Sequence, residues 1–370
     1  MRGKWFGAVM GLALGCVGPG LEPPGSENDG HYEPGGAGGS AGSAGTSGGA
    51  GMMSAGGTQA MPPTDNPAMD AGLDPQVEAD AASDASTIDD DDGGATYESR
   101  ELAGPSYMGS VDNGAECSMS YPTRGHEPVG AAAERHPLFL YFVGTAFVAT
   151  DPSASYDSLA ALAVTDAMAR RGFVALSVQY DNGALAWLSD HGNQLACLFD
   201  GSKPESLIAA GCALPNVDCE LGIATWGHSQ GGYVAHMAHN REPRVRASWA
   251  TGYGGDGAAT LPHERLRVVN GEADAGDNGT AAKLSMITGL TAAECPDADQ
   301  CLRADGSGWI IVRKSELAMP DTSTADHCWF DRPSCGASTV VLEPNWVDPA
   351  SDKAFALEPN ADWVAATVRR

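Results

Sequence analysis

Apolar residues fall into two kinds of pattern between Leu138 and Val368. Leu138–Val143 (Leu-Phe-Leu-Tyr-Phe-Val) is an unbroken run that stops at Gly144, the pattern of a strand buried on both faces. Phe173–Val178 and Leu221–Trp226 repeat it, and Val245–Thr251, Leu266–Val269 and Trp309–Val312 extend the series. Between the first two runs, Tyr156–Arg171 places Leu159, Leu162, Ala163, Val164 and Met168 at helical spacing. It closes on Arg170-Arg171-Gly172, cations and a glycine that end a helix. Gln230–His239 predicts a helix with Val234, Met237 and Ala238 on one face. Residues 183–211 predict an interrupted helical stretch, and Ala361–Val368 a short last helix. Strands alternating with helices predict an α/β domain with a mostly parallel central sheet and helices on both faces. Ligands of such sheets bind beyond the carboxyl ends of the strands, so chemistry is sought just after each strand.

The first hundred residues carry neither pattern. Arg2 and Lys4 precede an apolar run from Trp5 to Leu14, shorter than the roughly 20 residues that span a bilayer as a helix. This predicts a signal peptide over residues 1–15. Ala13-Leu14-Gly15-Cys16 resembles a bacterial lipobox. That resemblance implies a lipidated Cys16, a membrane as partner, and an outer-membrane lipoprotein. Ala13 and Gly15 also suit an ordinary small-x-small cleavage site, which leaves a periplasmic or secreted chain as the alternative. Residues 17–96 contain no Trp, Phe, Lys or Arg, and run through Gly35–Gly51 and the acidic stretch Asp89–Asp92. So little apolar surface cannot offset the entropy of ordering the chain, which predicts a flexible tether over 16–104 and a folded domain over 105–370.

Charge narrows the function. The chain carries 21 Lys+Arg against 48 Asp+Glu, net −27, and residues 17–99 hold 15 of the acids. From residue 100 onward 19 basic and 33 acidic residues remain, still an acidic surface that repels phosphate and excludes nucleic acid as a partner.

Nine cysteines occur. With Cys16 set aside for lipid, eight remain in an exported chain, which predicts up to four disulfides. Spacing pairs Cys212 with Cys219, Cys295 with Cys301 and Cys328 with Cys335 as local loops, leaving Cys117 for Cys197. No Cys-x2-Cys pair is present to suggest structural zinc.

Gly227-His228-Ser229-Gln230-Gly231 reads G-x-S-x-G. The glycine-rich tract holds accidental copies around Ser40 and Ser47, so the pattern alone says little. Ser229 differs in context, because it follows a buried strand and opens an amphipathic helix. In this context the chain, over roughly Pro137–Arg370, resembles the α/β-hydrolase superfamily, whose esterases and lipases often carry Gly-His-Ser-Gln-Gly-Gly. The resemblance implies that Ser229 is the nucleophile of a sharp strand–turn–helix elbow. Gly227 and Gly231 would let strand and helix approach. The backbone N–H of Gln230 would be one oxyanion donor, and Thr145, or next to it Ala146, the second. The chain lacks the His-Gly-Gly-Gly motif of hormone-sensitive-lipase-like esterases.

The superfamily order is serine, acid, histidine. After Leu266–Val269 comes Asn270-Gly271-Glu272-Ala273-Asp274, and Asp274 matches the acid position, with Glu272 and Asp256 as rivals. Of nine histidines only His327 follows Asp274. It lies beyond the Trp309–Val312 strand, where the superfamily keeps its base. A Cys328–Cys335 bond would restrain that loop. Together these imply an extracytoplasmic serine hydrolase of carboxylic esters that needs no metal or cofactor and takes a small-molecule or lipid-like ester. Lipase, peptidase and acyltransferase activity, or a non-catalytic surface protein of this fold, are the alternatives. The stretch 183–219, with Trp187, Leu188 and Leu198, is expected either to wall the cleft or to pack on the sheet.

Overall fold

The computed structural model describes residues 96–130, 134–146, 152–183, 191–255, 258–295 and 297–370. The expected signal peptide, Cys16 and the tract to residue 95 lie outside the described residues, as do Trp187, Leu188 and Asp256.

The predicted apolar runs form the centre of one sheet. Leu138–Phe142 (β5), Val174–Val178 (β6), Ile223–His228 (β7), Val245–Thr251 (β8), Leu266–Gly271 (β9) and Gly308–Val312 (β11) pair in parallel in the order β6-β5-β7-β8-β9-β11. Every residue of β5, β6, β7, β9 and β11 is buried, as expected where helices cover both faces. Antiparallel strands close the edges. Glu98–Ala103 (β1) pairs with Thr123–Val129 (β4), which pairs with β6; at the far side Gln300–Leu302 (β10) pairs with β11. The short strands Tyr107–Gly109 (β2) and Met119–Tyr121 (β3) form a separate ribbon.

β1 corrects the expected boundary at residue 104. It lies inside the stretch read as tether, yet all six of its residues pair with β4, from Glu98 opposite Val129 to Ala103 opposite Arg124. Its sequence, Glu-Ser-Arg-Glu-Leu-Ala, is exposed except at the half-buried Ser99 and Leu102. An edge strand needs no apolar run, so composition alone does not distinguish it from a linker.

Among the described residues the helices are Leu159–Ala169 (α1), Gly192–Phe199 (α2), Leu207–Cys212 (α3), Gln230–Met237 (α4), Ala281–Thr288 (α5), Pro344–Val347 (α6) and Leu357–Arg369 (α7). Strand alternation divides the core between the two faces. Val269 and Ile310 pack in one cluster with Trp226, Trp249 and the α7 residues Ala361, Val364 and Val368. Their strand neighbours Val268, Trp309 and Ile311 pack in another with Leu284 and Ile287 of α5. The interrupted stretch resolves into α2 and α3, and Leu198 is a fully buried core residue.

Among the described residues four disulfides form, Cys117–Cys197, Cys212–Cys219, Cys295–Cys301 and Cys328–Cys335, the pairing that spacing predicts. Four such bonds fit a chain that folds in an oxidising, extracytoplasmic compartment. No helix among the described residues is long and apolar enough to cross a membrane.

Candidate active site

Among the described residues the sheet has nine strands; β7 is the middle one and ends at His228. The next residue, Ser229, turns at φ 56° and ψ −120°, and α4 begins immediately after it. Its N–H donates to Thr251 O at the end of β8 (2.8 Å), which fixes the turn against the neighbouring strand. The flanking glycines are dictated by close approach. A Cβ on Gly227 would sit 2.0 Å from Gly231 O, and one on Gly231 would sit 2.1 Å from Phe142 O at the end of β5. Any side chain at either position would force strand and helix apart.

Asp274 and His327 lie on the loops that follow β9 and β11 and are hydrogen-bonded to each other. His327 Nδ1 donates to Asp274 Oδ1 at 2.9 Å. The Asp274 side chain is 0% exposed and that of His327 18%. The loops meet along their backbones, with Ala273 N–H donating to Ala325 O (3.1 Å). A Cβ on Gly271 would lie 2.0 Å from the same oxygen. Asp274 Oδ1 also accepts from Ala275 N–H (2.7 Å), whereas its Oδ2 is buried without a partner. Asp326 accepts from the N–H groups of Cys328 (2.9 Å) and Cys335 (3.0 Å), so carboxylate and disulfide close the loop that follows His327.

Burial of the His327 imidazole opposes its protonation. The charge and hydrogen bond of Asp274, joined by Asp326 and Asp331, outweigh that and raise its pKa above the ordinary value. With Nδ1–H committed to Asp274, Nε2 is the ring's proton acceptor.

Glu272, the nearby rival for the acid, faces elsewhere. It accepts from Arg313 (2.9 Å) and from Lys314 N–H (2.7 Å). The N–H of Lys314, more than the Arg313 charge, holds its carboxyl below the usual range.

Thr145 follows β5 and reaches the elbow through its side chain, its hydroxyl donating to Gln230 Oε1 at 3.0 Å. Gln230 Nε2 in turn donates to His191 Nε2 at 3.2 Å. Ala146 N–H donates to Asn182 O (2.9 Å), which removes it as a second oxyanion donor. Asn182 Nδ2 also holds Gly144 O (2.7 Å).

Three residues of this region carry no sequence signal for their role. His191, at φ 54°, packs its ring 5.0 Å from that of Tyr233 and receives Gln230. Asn182 braces the Gly144 loop. His228 lies in the elbow, and its Nε2 donates to His327 O at 2.8 Å.

No hydrogen bond joins Ser229 to His327; what they share is the end of β8. A Cβ on Gly252, one residue beyond the Thr251 that binds Ser229, would meet His327 Cε1 at 2.8 Å. Among the described residues, the group that could gather metal ligands is Asp326, Cys328 and Cys335. Both of its sulfurs are tied up in the disulfide.

Comparison of the chain with models of known protein families, and with curated proteins, gives no match.

Proposed function

We propose that the chain is a serine hydrolase of the α/β-hydrolase type whose preferred substrates are carboxylic esters. One arrangement carries this reading. A serine at positive φ caps a helix at the end of the central strand, and a hydrogen-bonded carboxylate–imidazole pair rises from the loops of the strands beyond it. A serine hydroxyl attacks a carbonyl only when a base takes its proton.

In this reading His327 Nε2 takes the proton of Ser229 Oγ, and Oγ attacks the ester carbonyl carbon. Asp274 holds the imidazole and stabilises it once protonated. The backbone N–H groups of Gln230 and Thr145 receive the developing oxyanion, each worth about 2.7–4 kcal/mol to the transition state. His327 then protonates the leaving alcohol, and water frees the acyl group by the same steps in reverse. Hydrogen bonds of this kind are often long in unliganded sites and tighten as substrate binds, so this reading has the Ser229–His327 bond form on substrate binding. The lipobox-like Ala13–Cys16 supports a lipid-anchored form held at a membrane by Cys16 and the acidic tract.

A fluorophosphonate probe tests the reading on the full chain. Covalent labelling is expected at Ser229 and is absent in Ser229→Ala. Folded wild-type protein that does not label would favour a non-catalytic protein of the same fold.

A further inference from the structure

We propose that His228, the residue before the nucleophile, is a positioning residue that fixes the backbone of His327 and so aims its imidazole at Ser229. The proposal rests on the serine-hydrolase reading above.

His228 is buried, and its ring lies between the two loops that must be held in register. On one side its Nε2–H donates to the carbonyl of His327 (2.8 Å), and its ring stands 4.7 Å from the His327 ring and 4.8 Å, edge-on, from Phe330. On the other side a Cβ on Gly144 would come within 2.9 Å of His228 Nδ1. The loop that carries Thr145 therefore leaves room for this ring. Gly252, at φ 63°, is the floor beneath both imidazoles, since a Cβ there would meet His228 Cδ2 at 3.0 Å and His327 Cε1 at 2.8 Å.

The choice of side chain follows from what its neighbour must do. His327 takes up a proton during the reaction, so a cation fixed beside it would oppose that step. A neutral imidazole supplies a single directed N–H without a charge. Burial foremost, then the nearness of His327, holds the His228 pKa well below the ordinary value. Because Asp274 fixes the His327 ring and His228 fixes its main chain, side chain and backbone are held from opposite ends.

Two variants of the full chain separate positioning from space filling. His228→Leu keeps bulk and loses the donor, whereas His228→Gln keeps a neutral N–H. The Leu variant is expected to lose about 10–100-fold in kcat and in fluorophosphonate labelling rate, with KM within about twofold, because displacing a base by ~1 Å costs that much. The acid limb of kcat/KM should also move down towards that of an ordinary imidazole as the His327–Asp274 bond loosens. The charged groups that act on His327 (Asp274, Asp326 and Asp331) and on residue 228 (His327 and Arg332) are the same in both variants. The Gln variant should return to within about fivefold of wild type, with its acid limb restored.

Wild-type kinetics in the Leu variant would overturn the proposal. So would an equal loss in a folded Gln variant, which would make the ring a mere filler. If the Leu variant does not fold, the Gln variant decides alone: near-wild-type rate and acid limb are expected, and a loss beyond about tenfold overturns the idea. A wild-type chain that never labels would remove the hydrolase reading itself, and this proposal with it.

Discussion

Ser229 holds a backbone conformation that glycine adopts freely and that costs other residues about 1–3 kcal/mol. Ser229→Gly relieves that strain, and the extra freedom of glycine in the unfolded chain gives back only about 0.4–1 kcal/mol. Strain relief wins, so Ser229→Gly should be more stable than Ser229→Ala by about 1 kcal/mol while neither labels with a fluorophosphonate. Urea denaturation of the two variants checks the sign. The pH dependence also belongs to single residues. His327 must be neutral to act as a base, and its pKa is raised. The acid limb of kcat/KM should therefore lie above the ~6.5 of a free imidazole, and a pH series on the wild-type chain reads it directly. Ser229 was legible because its signal is local: a strand, two glycines and a helix in one window. His228 and His191 were not. Their partners lie 99 and 39 residues away along the chain, one of them a backbone carbonyl, and nothing nearby in sequence marks such a contact.

The parallel strands could be read because burial on both faces demands continuous apolar runs. β1, β4 and β10 could not, since each lies at or near an edge and carries polar residues. The loop that bears His327 is the element on which the site depends most. It is closed by Cys328–Cys335 and by the two N–H groups that Asp326 holds. Closing so short a loop contributes about 2–3 kcal/mol. In Cys328→Ser/Cys335→Ser, turnover should fall at least tenfold at temperatures where the fold survives, because the loss falls on alignment. Circular dichroism melting beside ester turnover checks this. Unchanged turnover in the folded double variant would free the base from the disulfide.

Across the whole molecule the balance reverses. Cys117–Cys197 joins residues 80 apart, tying the chain between β2 and β3 to α2. Its loop-closure contribution is about 4–5 kcal/mol, so its loss should lower the melting temperature more than loss of Cys328–Cys335 while sparing turnover in whatever remains folded. A second whole-molecule property is acid sensitivity. Burial, and less so the nearby His263, lowers the His236 pKa to about 4 while its Nδ1 pairs with Tyr253 Oη. The unfolded chain then binds a proton that the folded chain refuses. Stability is lost as pH falls below ~6.5 and levels off near 4, by on the order of 3 kcal/mol. His236→Gln should flatten that slope, which denaturant midpoints at pH 7.5 and 5 will show.

The chain enters the described fold through β1, at the rim of the sheet, with β4, β6 and β5 between it and the strand that bears Ser229. At about 4.8 Å per strand, the point of entry is roughly 19 Å from β7, which leads into Ser229. A mechanical load applied at residue 96 would first meet the six-residue pairing of β1 with β4. Those bonds would rupture before tension reached the centre. In the anchored hydrolase proposed above, the rim strand would act as a fuse, giving way at the edge while the central strands stayed paired.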